Sequence, residues 1–376
     1  MEQVNPNRRY DLDWLRVLVI FMLIPFHVAV IFDLGGEYYL RNSEHSVVLS
    51  AFTDSVGAWG MPLLFFVAGA SAWFALQKYN AGRFIKERLF RLLLPLVLAT
   101  VTLAPVLGYF GYLHNVGRSV SFWEYYPTFY SFSPSDITGY QGHFTPAHLW
   151  FVLFLLVLTM MALPIFRLLN REKGKRFAGR LAGFFSKPGA MFILPVFTVF
   201  FIDGWPELAD RNVASFFLYL IIGFLFMAQS RFQETIDRQK YTLLALSVFS
   251  GIIFILLQSW GEYQSGITLG SMAYDFLADF YAWVSILTLF AFSRAFLNRP
   301  GRAVRYAGPA SYPVYLIHMP IVVAIGYYVI QWPAGIFTKY AVIVISSFIA
   351  TFLVYDLLIR RMPLIRWLMG VKVKQG

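Results

Sequence analysis

The chain has 376 residues, of which 58% are hydrophobic, 19% aromatic and only 14% charged, a balance that an ordinary water-soluble α or α/β domain does not keep. A net charge of +11 would suit nucleic acid, but the basic residues come in short clusters between apolar runs, so no nucleic-acid partner is expected. The absence of cysteine excludes disulfides, thiolate metal sites and a cysteine nucleophile.

Segments long enough to cross ~30 Å of hydrocarbon, which takes roughly 20 residues, fall near 14–33, 56–76, 92–113, 147–169, 189–205, 213–229, 241–259, 274–296, 311–331 and 339–358. The first is too long for a signal-peptide core and lacks a small-residue cleavage site, so it reads as a retained helix. The fifth and sixth are shorter, and Pro195 inside the fifth allows a bent or re-entrant element there. The expectation is an all-α integral membrane protein of about ten transmembrane helices, with residues 1–376 as a single transmembrane domain and no separate soluble domain. Placing both termini and every second loop on one side collects 27 of the 31 Lys and Arg there, leaving Arg41, Arg118, Arg211 and Lys339 opposite. Positive-inside bias makes the basic side cytoplasmic, with both termini in, as in a multi-pass protein of a bacterial-type inner (plasma) membrane. The one long loop, 114–146, falls on the outer face and is rich in Tyr, Phe, Pro and Ser. Such length signals function or disorder; the aromatic content favours order and offers stacking faces for sugars, although Tyr and Trp also belong at any membrane interface.

The first segment carries the sharpest chemical signal, in Arg9-Tyr-Asp-Leu-Asp-Trp-Leu-Arg16 followed by Ile24-Pro-Phe-His27. Arg16 and His27 are close to three helical turns apart, which puts them on one face, ~16 Å from each other along the axis. A histidine deep among Leu, Ile, Phe and Val is costly unless it faces a cavity or a partner, so it is a functional candidate; the bland alternative is a bond to a neighbouring helix. Asp13, in the same motif, is an accessory candidate. In the second segment, Pro62-Leu-Leu-Phe-Phe-Val-Ala-Gly69 offers Gly69 as a site of close helix packing. At the entry to the third, Lys86-Glu-Arg88-Leu-Phe-Arg91 sets two guanidinium groups one turn apart, a spacing that grips phosphates and equally suits lipid headgroups. His148-Leu-Trp150-Phe opens the fourth segment, as a site or an interfacial anchor. In the ninth, Tyr315-Leu-Ile-His318-Met-Pro320 projects a tyrosine and an imidazole side by side.

Taken in this order, these residues resemble the membrane-bound acyltransferase 3 family from residue 8 to about residue 370, with the Arg16/His27 pair, Arg88-x-x-Arg91, His148-Leu-Trp-Phe and Tyr315-Leu-Ile-His-x-Pro falling where that family has its signatures. Within the family the fragments look most like the glucan succinyltransferases. The usual Phe-Phe-x-x-Ser-Gly-Tyr of the second helix is missing its serine and tyrosine here, which puts the acceptor, more than the reaction, in question. The resemblance implies an O-acyltransferase that takes an acyl group from cytoplasmic acyl-CoA, acetyl-CoA or succinyl-CoA, to a hydroxyl of an extracytoplasmic glucan or other carbohydrate or lipid acceptor.

Ester formation needs a base of near-neutral pKa and an anchoring or polarising cation, types supplied by His27 and Arg16, with Arg88 and Arg91 for donor phosphates. His318 is the alternative base, Tyr315 an orienting donor, and His148 and Trp150 are accessory candidates. There is no Gly-x-Ser-x-Gly elbow, and no zincin spacing of histidines, so no metal is expected. The rival reading is a transporter or flippase using His27, Asp275, Asp279 and His318 as proton or substrate sites; a third is an assembly partner with no site. No internal repeat supports the transporter. Oligomeric state stays open.

Overall fold

In hydrocarbon the backbone has no water to bond, so a chain this apolar satisfies its amides internally, as helices. The computed structural model describes residues 8–202, 205–208, 211–260 and 268–371, and all regular structure among them is helical. Lys372 and Lys374, part of the charge asymmetry, lie outside the described residues.

Each of the ten apolar segments coincides with a helix, but among the described residues eight helices are long and apolar enough to span: Tyr10–Val30, Val47–Lys78, Ala81–Val116, Ala147–Leu169, Ser230–Gln258, Leu269–Leu297, Arg302–Val329 and Ile336–Ile359. The expectation of about ten thus resolves into eight full-length spans and two shorter pieces. In the fifth, Glu172–Phe185 and Ala190–Phe201 meet at 104°. The bend does not come from Pro195, which sits in the first turn of Ile193–Phe201 where its missing N–H costs nothing. It comes from Lys187-Pro188-Gly189, with Gly189 in the left-handed region at φ 77°. Lys173, Lys175, Arg176 and Arg180 give Glu172–Phe185 the character of a headgroup-level helix. The sixth, Val213–Ala228, has 16 residues and spans only ~24 Å at the α-helical rise.

Ile336–Ile359 shows which solvent shaped the fold. Its buried face repeats every four residues as Lys339, Ile343, Ser347, Thr351 and Tyr355, and its open face carries Ile345, Ile349 and Leu353. Polar groups inside and aliphatic groups outside invert the pattern of a water-soluble helix, as lipid requires.

The helices group into two compact units, each assembled from three separate stretches of chain. The first holds the stretch ending at Val17, Asp54–Ile85 and Val157–Gly308; the second holds Leu18–Thr53, Lys86–Leu156 and the stretch from Pro309. In the first unit, a side chain on Gly69 would strike the Leu220 carbonyl and one on Gly223 would strike the Phe66 carbonyl. Two helices therefore pack backbone to backbone through reciprocal glycines, so Gly69 is a packing residue. Here too the start of the first helix is clamped. Buried Asp11 pairs with Arg9 at 2.6 Å; Arg9 and Arg294 share Gln233 Oε1, and Arg294 holds Asp237 at 2.9 Å.

In the second unit, Ile24, Val28, Leu107, Met319, Val322 and Ile343 from four helices, with Phe32 just past the end of the first, form the core. The long loop 114–146 has defined structure. It contains the helix Phe122–Phe129, capped reciprocally by Ser121 and Glu124, and buried Asp136 accepts hydrogen bonds from the Gln141 and His143 amides and from His143 Nδ1 at 2.9 Å.

Candidate active site

The second unit brings three intramembrane histidines from three helices into one row. His27, on the first helix, lies 5.4 Å from His318 of the ninth segment between ring centroids, and His318 lies 5.5 Å from His148 of the fourth. His148 and His318 are buried, whereas His27 is partly open.

Each ring has one nitrogen committed. His148 Nε2 donates to the Leu316 carbonyl at 3.0 Å, and His318 Nδ1 donates to the Tyr315 carbonyl at 2.7 Å. A carbonyl only accepts, so both committed nitrogens carry hydrogen, leaving His148 Nδ1 and His318 Nε2 with bare lone pairs. Both of these atoms are buried and have no hydrogen-bond partner. His27 Nδ1 lies 3.0 Å from the Tyr38 hydroxyl, which also lies 3.6 Å from Met319 Sδ. With the Tyr38 hydrogen on Met319, Tyr38 Oη accepts from His27 Nδ1–H and Nε2 is the basic nitrogen; with that hydrogen on Nδ1, the shorter contact and the stronger acceptor, Nε2 carries the ring hydrogen. Burial pushes the Tyr38 hydroxyl well above the usual tyrosine range, reinforced by Tyr140, Tyr39 and Asp33, so it stays a neutral partner. Unmet acceptors in a buried cluster call for a ligand that donates hydrogen, and a hydroxyl meets that need.

The supports are local. Tyr315 donates its hydroxyl to the His148 carbonyl, so it orients His148 through the backbone. Just before His148, Ala147 has φ 51°, the one positive value at a described non-glycine residue. Backbone strain at that point turns the outer loop sharply into the fourth helix and aims the imidazole inward. Pro25 leaves the first helix unbroken, and its carbonyl accepts the Tyr340 hydroxyl at 3.3 Å. Outside the row, Tyr38, Tyr39 and Tyr140 form an edge-on aromatic trio with centroids 4.9 to 5.6 Å apart.

The remaining candidates fall elsewhere. Arg16 lies in the first unit, tied at 2.7 Å to Asp13, whose other oxygen holds Arg8 at 2.8 Å; Asp13 thus fixes the arginine as an orienting carboxylate would. Arg88 ends an α-helical stretch, and Arg91 lies in the π-helical turn Leu89–Leu93, paired with Glu87 at 2.8 Å. Trp150 packs edge-on against Phe154, outside the histidine row. Asp275 and Asp279 lie in the first unit, whereas His27 and His318 lie in the second. Among the described residues no group of three or more histidines, cysteines and carboxylates is placed to hold a metal ion.

The model of the acyltransferase domain known as acyltransferase 3 matches residues 9–360. The chain belongs to the acyltransferase 3 family. Membership of this family gives a multi-pass membrane protein that transfers acyl groups, and the match takes in every residue of the histidine row. Curated relatives named "Glucans biosynthesis protein C" from Salmonella paratyphi B, Salmonella enteritidis and Salmonella choleraesuis are each 24% identical over 88% of this chain and 86% of their own length. No solved structure matches.

Sequence reasoning missed Tyr38, the closest partner of His27, because a tyrosine in a short outer connection carries no periodic signal. Nor did the charge pattern, which set Lys339 on the less basic side, foresee its partners. The lysine is buried, donating to Asn42 Oδ1 at 3.0 Å and the Ile330 carbonyl at 2.8 Å, and so ties a helix end to a loop.

Proposed function

We propose that this acyltransferase moves an acyl group, acetyl or succinyl, from cytoplasmic acyl-CoA to a hydroxyl of an extracytoplasmic glucan or another carbohydrate or lipid acceptor. The observation that carries the reading is the row of three histidines, in which His148 Nδ1 and His318 Nε2 are buried acceptors without a partner and His27 is partly open. His27 Nε2 takes the proton of the acceptor hydroxyl as its oxygen adds to the thioester carbonyl carbon. Collapse breaks the C–S bond, and the leaving sulfur recovers the proton from His27, so ester and free CoA are the products. Arg88 and Arg91, in the same unit as His27, hold the phosphates of the donor. The name of the Salmonella relatives supports a glucan acceptor, and the Tyr38, Tyr39 and Tyr140 rings suit the apolar faces of a sugar.

Purified protein in lipid nanodiscs should cleave the acyl-CoA thioester, slowly with water and faster with acceptor; a transporter or flippase with the same polar residues would leave the thioester intact. Mass spectrometry of envelope glycans and lipids with and without the gene then identifies the acyl group and acceptor.

The same reading takes both termini and the basic loops at 77–91 and 167–188 to lie in the cytoplasm of a bacterial-type cell, an orientation supported by the positive-inside bias. The assignment holds whether the two short helical pieces both cross or both turn back, since either keeps the count even. Cysteine placed singly at position 175, as Lys175→Cys in this cysteine-free chain, should resist an impermeant thiol reagent on intact cells. Labelling there from outside would overturn the orientation.

A further inference from the structure

Coenzyme A carries a 3′-phosphate on its ribose besides the diphosphate, more negative charge than one pair of arginines meets, and Arg91 is already partly engaged by Glu87. A second basic group lies at the end of the tenth segment in the same unit. There a π-helical turn, Tyr355–Ile359, leads into Arg360 and Arg361, and a cavity of about 470 Å³ is lined by Asp356, Arg360 and Arg361. The volume is in the range of small-molecule sites. Arg360 is ion-paired to Asp356 at 3.1 Å, whereas Arg361 and the nearby Arg366 have no carboxylate partner among the described residues.

This end of the chain is built onto the Arg88/Arg91 turn. The short helix Pro363–Leu368 packs both on Tyr355–Ile359 and on Leu94–Thr102, the helix that follows Arg91. It ends at Gly370, whose φ of 70° only glycine adopts without strain. A side chain there would come within 2.8 Å of the Arg91 carbonyl, 3.1 Å of Pro95 and 3.3 Å of Tyr312, so the closing turn lies directly on the Arg91 backbone. The Tyr312 hydroxyl is buried with no hydrogen-bond partner. Two π turns, each beside an arginine pair, are thereby joined by one six-residue element, and π turns concentrate at functional positions.

We propose that the cavity at Arg360 and Arg361 is a second phosphate subsite of the donor site, holding the 3′-phosphate of coenzyme A while Arg88 and Arg91 take the diphosphate. The inference rests on the acyl-CoA reading above. Forked guanidinium donors suit a terminal phosphate monoester, and Asp356 holds Arg360 in place for it. The same chemistry would accept the phosphate of an anionic lipid headgroup, so the test separates the two sources.

Titration calorimetry of the full-length protein in nanodiscs of neutral lipid, with CoA and with 3′-dephospho-CoA, reads the subsite directly. The wild-type protein should bind CoA about tenfold or more tighter than dephospho-CoA, and Arg360→Gln/Arg361→Gln should lose that preference while Arg360→Lys/Arg361→Lys keeps part of it. Arg88→Gln/Arg91→Gln should weaken both ligands together. Both side chains of the cavity pair are exposed, so the helix content and size-exclusion profile of the variants should match the wild type. A glutamine double variant that still prefers CoA would overturn the subsite and leave the donor reading intact, whereas a wild-type protein that binds neither ligand would overturn both. A preference seen only in neutral nanodiscs and abolished by anionic lipid would assign the cavity to headgroups and overturn the proposal.

Discussion

His27→Ala should lower acyl transfer to the acceptor by about 10²–10⁴-fold, the usual contribution of a general base and equivalent to roughly 3–5 kcal/mol of transition-state stabilisation. The variant should still fold and bind CoA, because the imidazole is partly open and its one strong partner is Tyr38. Tyr38→Phe should give a smaller loss, expressed in kcat more than in KM, since it frees His27 Nδ1 and lets the ring change tautomer without removing the base. His318→Ala separates the rival assignments, because His318 Nε2, like His148 Nδ1, is a buried nitrogen with no hydrogen-bond partner. Transfer rates measured with equal amounts of folded protein decide the matter. Normal transfer by His27→Ala alongside a dead His318→Ala would move the base to the ninth segment.

Replacing Arg88 and Arg91 together with glutamine should weaken CoA binding roughly 10- to 100-fold and flatten its dependence on ionic strength. The lower part of that range reflects the exposure of Arg91, at 43% of its side chain, and its surface pairing with Glu87, both of which dilute a charge contact. Glu87→Gln should act in the opposite sense, tightening CoA by freeing Arg91. The affinity of all three proteins, measured at two salt concentrations, checks the set. Unchanged affinity in the arginine variant would return these residues to the lipid headgroups that positive-inside bias already explains.

The amino-acid sequence by itself determined the solvent and the secondary structure, and it named the candidate groups. Hydropathy is a local sum and helical spacing a local period, so the apolar segments coincide with helices, and the dispersed motifs around Arg16, His27, Arg88, His148 and His318 carried the family. Sequence also flagged the fifth and sixth segments as short, though it placed the cause of the bend at Pro195, where a first-turn proline is harmless, instead of at the Pro188-Gly189 step. Only the tertiary structure decided that His27, His148 and His318 share one row, that His148 and His318 each keep a buried nitrogen without a partner, that Tyr38 meets His27, and that Gly69 answers Gly223 across a helix contact. These facts depend on which helix faces which, and therefore on side-chain packing between segments far apart in the chain. The Leu316 carbonyl that accepts from His148 is a product of that packing, invisible to any local reading because the partner is a backbone atom with no residue type to recognise.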